Sequence, residues 1–142
     1  MKKGFTLIEV LLVIVIIAIL AGIVLIAVNP GRQVSQANNA QRDSNVNAIL
    51  SAVHQYAIDN RGALPTNITT TAGTVSNAGI NICTDLVPTY IAALPVDPTD
   101  SGASFTDCTT YNTGYTVVKD ANNRVTVAAP SAELSATISV TR

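Results

Sequence analysis

Apolar and polar positions divide the chain sharply. From Val10 to Val28 there are nineteen consecutive uncharged residues, and Gly22 is the one interruption of an otherwise aliphatic run. As a helix rising about 1.5 Å per residue, the run would be roughly 29 Å long, close to the ~30 Å hydrocarbon core of a bilayer. Glu9 stands at its head. A carboxylate at the start of a membrane-length apolar helix is costly and needs a partner, which makes Glu9 a candidate functional residue. Asn29-Pro30-Gly31 breaks the pattern. Proline removes a backbone donor and clashes with the preceding turn, so a kink or local melt is expected there. Equally, Asn29 could cap a new helix with Pro30 at its first position.

From Gln33 to about Asn60 the pattern stays helical but becomes more polar. Val46, Ile49, Leu50, Val53 and Ala57 recur at helical spacing and form one apolar stripe, with Tyr56 alongside. Arg42, Asp43, Asn45, Asn47, Gln55 and Asp59 are assigned to the opposite, polar face. Together with the apolar run this makes a rod of about 55 residues, roughly 80 Å long. Arg61-Gly62 is a stop signal. Residues 63–82 read as a polar surface loop with at most a short irregular strand, and Thr69-Thr70-Thr71 within it is either plain loop or a glycosylation site. Leu86, Val87, Tyr90, Ile91 and Leu94 form an apolar patch, expected as a helical turn followed by extended Leu94–Pro98.

The last third is β. Tyr115–Lys119 and Arg124–Ala128 flank the turn residues Asp120–Asn123, which is the pattern of a hairpin. Leu134, Ala136, Ile138 and Val140 then alternate with polar residues as a third strand with one apolar face. A sheet with one apolar face needs a lid, and the Val46–Ala57 stripe needs a floor. The expected fold class is therefore α+β: a long N-terminal helix, membrane-spanning in its first half, with its second half packed on an antiparallel sheet of about three strands.

Composition adjusts this picture in two places. The chain is 48% apolar, but much of that lies in residues 5–28, so the soluble core is smaller than the figure implies. Beyond residue 28, six basic side chains face eight acidic ones, a net charge of −2 that offers no basic field for gripping nucleic acid. Cys83 and Cys108 are either two free thiols or a disulfide. The membrane or export segment ahead of them favours the disulfide, and closing a loop of roughly 26 residues would contribute about 3.5 kcal/mol in the chain-entropy picture. No phosphate loop, dinucleotide turn or metal-spaced Cys/His cluster is present, and nothing nominates a nucleophile beside His54, the one histidine. The chain does not read as an enzyme.

Lys2-Lys3-Gly4-Phe5-Thr6-Leu7-Ile8-Glu9 followed by Val10-Leu11-Leu12-Val13 resembles the class III signal of type IV pilins and of their relatives, the pseudopilins of type II secretion. An ordinary secretory signal has a shorter apolar region and no acid at its start, and a plain anchor leaves Glu9 without a role. The resemblance implies cleavage between Gly4 and Phe5 by a prepilin peptidase, N-methylation of Phe5, and subunit assembly in which Glu9 pairs with the Phe5 amine of a neighbouring copy. It divides the chain into a leader, 1–4, a transmembrane and filament-core helix, 5–29, and a pilin-like globular domain, 30–142. That domain is a helix to about 60, a loop over 61–113 and a sheet over 114–142. The family often carries a proline where this chain has Ile26.

The implied function is a structural subunit of a type IV pilus-like filament for adhesion, motility or DNA uptake. The alternatives are a pseudopilin driving protein export and a membrane-anchored binding module that does not polymerise. The implied partners are copies of the chain, the membrane, the peptidase and methylase, and an assembly platform. The implied location is the inner membrane with the N-terminus in the cytoplasm, as Lys2 and Lys3 also indicate, followed by a surface or periplasmic filament. Tyr90-Ile91-x-x-Leu94-Pro95-x-Asp97-Pro98 resembles a stretch of the major pseudopilin, where a nearby loop binds calcium. Asp97, Asp100 and Asp107 are the hard oxygen donors available for that ion here, although aspartates are also ordinary turn residues. No other cofactor is implied.

Overall fold

A computed structural model describes residues 4–142, so Lys2 and Lys3 of the leader lie outside the described residues. The chain falls into two compact units, one running up to Val34 and the other comprising Ser35–Arg142.

The first unit contains α1, Leu7–Val28. Thr6 is its N-cap, and Thr6 and Glu9 form a reciprocal capping box. The helix ends where Asn29 turns left-handed at φ 44°. Among the described residues of α1 none is buried, and α1 is the one described helix long and apolar enough to cross a membrane. Asn29 serves both sides of the break. Its side-chain oxygen accepts the Arg32 amide at 3.2 Å, and its carbonyl accepts Arg32 and Gln33. Thus α2, Pro30–Asp59, starts with proline at its first position, where a missing donor is harmless. Of the two expectations for this stretch, the structure shows the cap, and α1 and α2 are separate helices.

The second unit contains most of α2 and everything after it. The helix stops as expected: Gly62, at φ 89°, donates its amide to Ala57 at 2.7 Å. Next come β1 (Gly73–Ser76), the short α3 (Cys83–Leu86), β2 (Ser104–Asp107), β3 (Thr110–Lys119), β4 (Val125–Ala129) and β5 (Ile138–Thr141). The sheet is antiparallel with the order β1-β3-β4-β5, and β2 also pairs with β3. It therefore has five strands rather than about three. The two extra strands come from the stretch read as loop. Both are short and rich in Ser, Thr and Gly, and both depend on the long β3, which starts five residues before the Tyr115 expected to open it. The β3–β4 hairpin is as expected, with Asp120 accepting the Asn122 and Arg124 amides across the turn.

The third predicted strand is only half formed. Leu134 and Ser135 adopt φ of 57° and 55°, and pairing with β4 begins at Ile138. The alternating pattern is overridden because Glu133 is drawn onto α2, as described below, and the chain must turn before rejoining the sheet.

The core has the predicted lid and floor. Val46, Ile49, Leu50 and Val53 are fully buried in one cluster with Tyr115, Val117, Val125 and Val127 of the sheet, and Ile68, Val75, Ile82 and Leu86 close it from the connecting segments. Burial of each such aliphatic side chain contributes about 1.5–3 kcal/mol. Leu50→Ala should therefore lower the unfolding free energy of the full-length protein by roughly 2–5 kcal/mol. Ile58→Ala, at a position 76% exposed, should change it by less than ~0.5 kcal/mol. Urea unfolding followed by tyrosine circular dichroism checks both.

Candidate processing and assembly site

The N-terminal segment combines three features. Gly4 and Phe5 precede the helix in irregular backbone, and the Phe5 side chain is 88% exposed. Thr6 and Glu9 are locked together. The Glu9 carboxylate takes the Thr6 amide at 2.8 Å and the Thr6 hydroxyl at 2.7 Å, both on Oε2, while the Glu9 amide points back to the Thr6 hydroxyl. A carboxylate at the third helical position also lies in the favourable field of the helix N-terminus. Glu9, odd in sequence, is thus held by its own helix start and presents its charge within one turn of Phe5. The third feature is the apolar wall of α1. A helix this apolar and this exposed must be covered by lipid or by protein.

Residues 1–25 match the family model described as "Prokaryotic N-terminal methylation motif". This motif places the chain among the type IV pilin and pseudopilin-like proteins. Proteins of this kind are structural subunits without enzymatic activity. The signal implies processing by a prepilin peptidase and assembly into a pilus-like filament, and with the apolar helix it indicates a subunit held in a membrane before assembly. No curated protein and no solved structure matches the chain.

The remaining residues singled out in the sequence of this pilin-like chain lie in its globular unit. Cys83 of α3 and Cys108 of the β2–β3 turn are joined in a disulfide, 25 residues apart with a Cα–Cα distance of 5.3 Å. It fastens the connecting segments to the strand pair. His54 lies half-buried on α2 with its Nε2 buried and unpartnered.

The three aspartates named for calcium do not converge. Asp107 ends β2 and accepts the Thr109 hydroxyl and the Thr109 and Thr110 amides. Asp100 accepts the Gly102 amide. Asp97 is engaged with Arg42. Among the described residues, no three His, Cys, Asp or Glu side chains are grouped to hold a metal ion.

Arg42 and Asn45 correct the assignment of the polar face, because both are buried. The Arg42 guanidinium is fully enclosed. Its Nε and Nη2 meet the two Asp97 oxygens at 2.7 and 3.0 Å, and Nη2 also reaches the Thr99 hydroxyl. Its Nη1 meets Asn39 Oδ1 and Glu133 Oε2, each at 2.9 Å. Glu133 is fastened further by Ser35, Asn38 and both backbone bonds to Asn39. Asn45 donates to the Tyr115 hydroxyl at 2.8 Å and to the Val96 carbonyl. A signal for this was present in the sequence: Arg42 lies four, seven and eleven residues before Val46, Ile49 and Val53, on the same helical stripe. Polarity alone assigns it to the wrong side.

Burial pushes the Asp97 carboxyl up, but Arg42 and the Thr99 and Asp100 amides outweigh it, and the net shift is downward. Glu133 is held below the usual range by Arg42, Asn38 and Ser35. Both carboxyls thus bind protons less readily folded than unfolded. Their stabilisation is complete above the ordinary carboxylate values of about 4 and is lost as pH falls through the lower folded values. The thermal midpoint should therefore be flat from neutral pH to about 5 as far as these groups are concerned, and fall below about pH 4. Glu133→Gln should lower the neutral-pH midpoint and flatten the acid limb, as melts across a pH series would show.

Proposed function

We propose that this chain is the structural subunit of a type IV pilus-like filament, polymerising through its N-terminal helix after removal of residues 1–4. The observation that carries the reading is the pairing of the methylation motif with a helix that buries none of its residues, beside a globular unit whose core is complete in itself. Such a helix needs one cover in the membrane and another in the filament, and copies of itself supply the second. Cleavage falls at the Gly4–Phe5 bond and methylation at the amine it frees. Lys2 and Lys3 keep that end in the cytoplasm.

Glu9 then has two partners in turn. In the single subunit it caps its own helix through Oε2, which lessens the cost of carrying the charge at the membrane. In the filament the freed Phe5 amine of a neighbour approaches the same carboxylate. Two opposite charges in a low-dielectric bundle attract strongly, and the pair sets the axial offset between copies.

A second reading, a pseudopilin of a type II secretion system, draws support from the Leu94–Pro98 stretch. It differs in filament length.

Glu9→Ala should leave a processed, membrane-resident protein and reduce sheared surface filaments to background. Intact mass and N-terminal sequencing should show a methylated Phe5 as first residue. Normal filaments from Glu9→Ala, or a native protein still beginning at Met1 in a cell with the peptidase, would sink the proposal. Electron microscopy of the sheared material separates a long pilus from a short secretion filament.

A further inference from the structure

The calcium implied by the Leu94–Pro98 resemblance can be tested against the donors themselves. Calcium takes about six to eight oxygens at roughly 2.3–2.6 Å around one centre. Here the three aspartates are not grouped around one centre, and both oxygens of Asp97, the buried one, are already committed. Asp97 Oδ2 accepts Arg42 Nε, and Asp97 Oδ1 accepts Arg42 Nη2 with the Thr99 and Asp100 amides. Asp100 and Asp107 each turn Oδ1 to amides of their own turns, Gly102 for the one and Thr109 and Thr110 for the other, and do not converge with Asp97. The residues do not fit the ion.

The Asp97 carboxylate does point at a positive charge, and so does that of Glu133. The charge at their meeting point is the guanidinium of Arg42. It is fully buried, and its hydrogen bonds engage all five N–H groups: Nε with Asp97, Nη1 with Asn39 and Glu133, and Nη2 with Asp97 and Thr99. The loop that Asp97 begins is closely fitted to the sheet. A Cβ at Gly114, where φ is 76°, would stand 3.0 Å from both Asp97 Cβ and Asp100 Oδ2.

We infer that Arg42 is the resident cation of this loop. Sent in from α2, it holds the Asp97–Gly102 turn and the Glu133 segment as a bound divalent ion would, so the globular unit is ordered without calcium. A planar fork that binds one carboxylate through two nitrogens and a second carboxylate through the third suits this task, whereas a lysine offers one point charge. Because this cation is part of the chain, it cannot dissociate, and the fold does not respond to external calcium.

The test uses the full-length protein in detergent micelles and reads folding alone, so its outcome is independent of whether the chain polymerises. Thermal unfolding, followed by tyrosine circular dichroism, should give the same midpoint in millimolar calcium and in excess chelator. A rise of several degrees with calcium overturns the inference. Arg42→Ala should lower the midpoint markedly, and Arg42→Lys should restore only part of the loss. A folded Arg42→Ala protein should regain stability on adding millimolar guanidinium chloride, compared with the same concentration of sodium chloride, because the vacated carboxylates again have a planar cation. An Arg42→Ala protein as stable as the wild type, or a folded one indifferent to guanidinium, overturns the inference. If Arg42→Ala does not fold, the calcium comparison on the wild type and the Arg42→Lys midpoint decide it.

Discussion

An arginine can be taken out of water only if its donors and its charge are both matched, since an unpaired buried charge costs several kcal/mol. In the globular unit that condition is met at Arg42 by a neighbour and by two distant parts of the chain: Asn39 on the same helix, Asp97 and Thr99 from the connecting segment, and Glu133 from the run into the last strand. The apolar core supplies most of the driving force but is non-directional. Arg42 supplies direction. It determines where the Asp97 turn sits, and it pulls Glu133 out of the path that its alternating neighbours would otherwise follow into the sheet. The left-handed Leu134 and Ser135 follow from that pull.

The two units solve opposite problems. Ser35–Arg142 turns apolar side chains inward, pairs three of its strands with one long β3, and adds a disulfide that ties α3 to the β2–β3 turn. The segment before it does the reverse, facing its aliphatic side chains outward with one acid at the entrance. The first helix, apolar and unburied, calls for lipid or protein around it, while the globular unit has a core of its own.

Much of this could be read from sequence because it rests on period and local chemistry. The apolar run, the Val46–Ala57 stripe, the Gly62 stop and the Asp120–Asn123 hairpin each depend on neighbours in the chain, and each is found. The methylation motif is equally local, contained in residues 1–25. What escaped depends on distant partners. The strands β1 and β2 have weak patterns of their own and exist because β3 offers them an edge. Arg42 and Glu133 are 91 residues apart, and nothing near either one announces the other. The charge of Arg42 points to the solvent face, whereas its helical phase places it on the buried stripe. Aspartates in sequence resemble donors awaiting an ion because their acceptor capacity is visible there, while the groups that fill it are not.

Asn29 separates more than two helices. Helix formation is cooperative because each added residue extends an existing ladder of hydrogen bonds. At Asn29 that ladder stops, and a new one begins from its own carbonyl and side chain. The coupling that a continuous rod would transmit is therefore cut at one residue. Fraying of the apolar helix does not have to propagate by hydrogen-bond cooperativity into the helix on which the core is built. Each helix therefore begins and ends on its own hydrogen bonds, and the stability of one is not borrowed from the other through the backbone ladder.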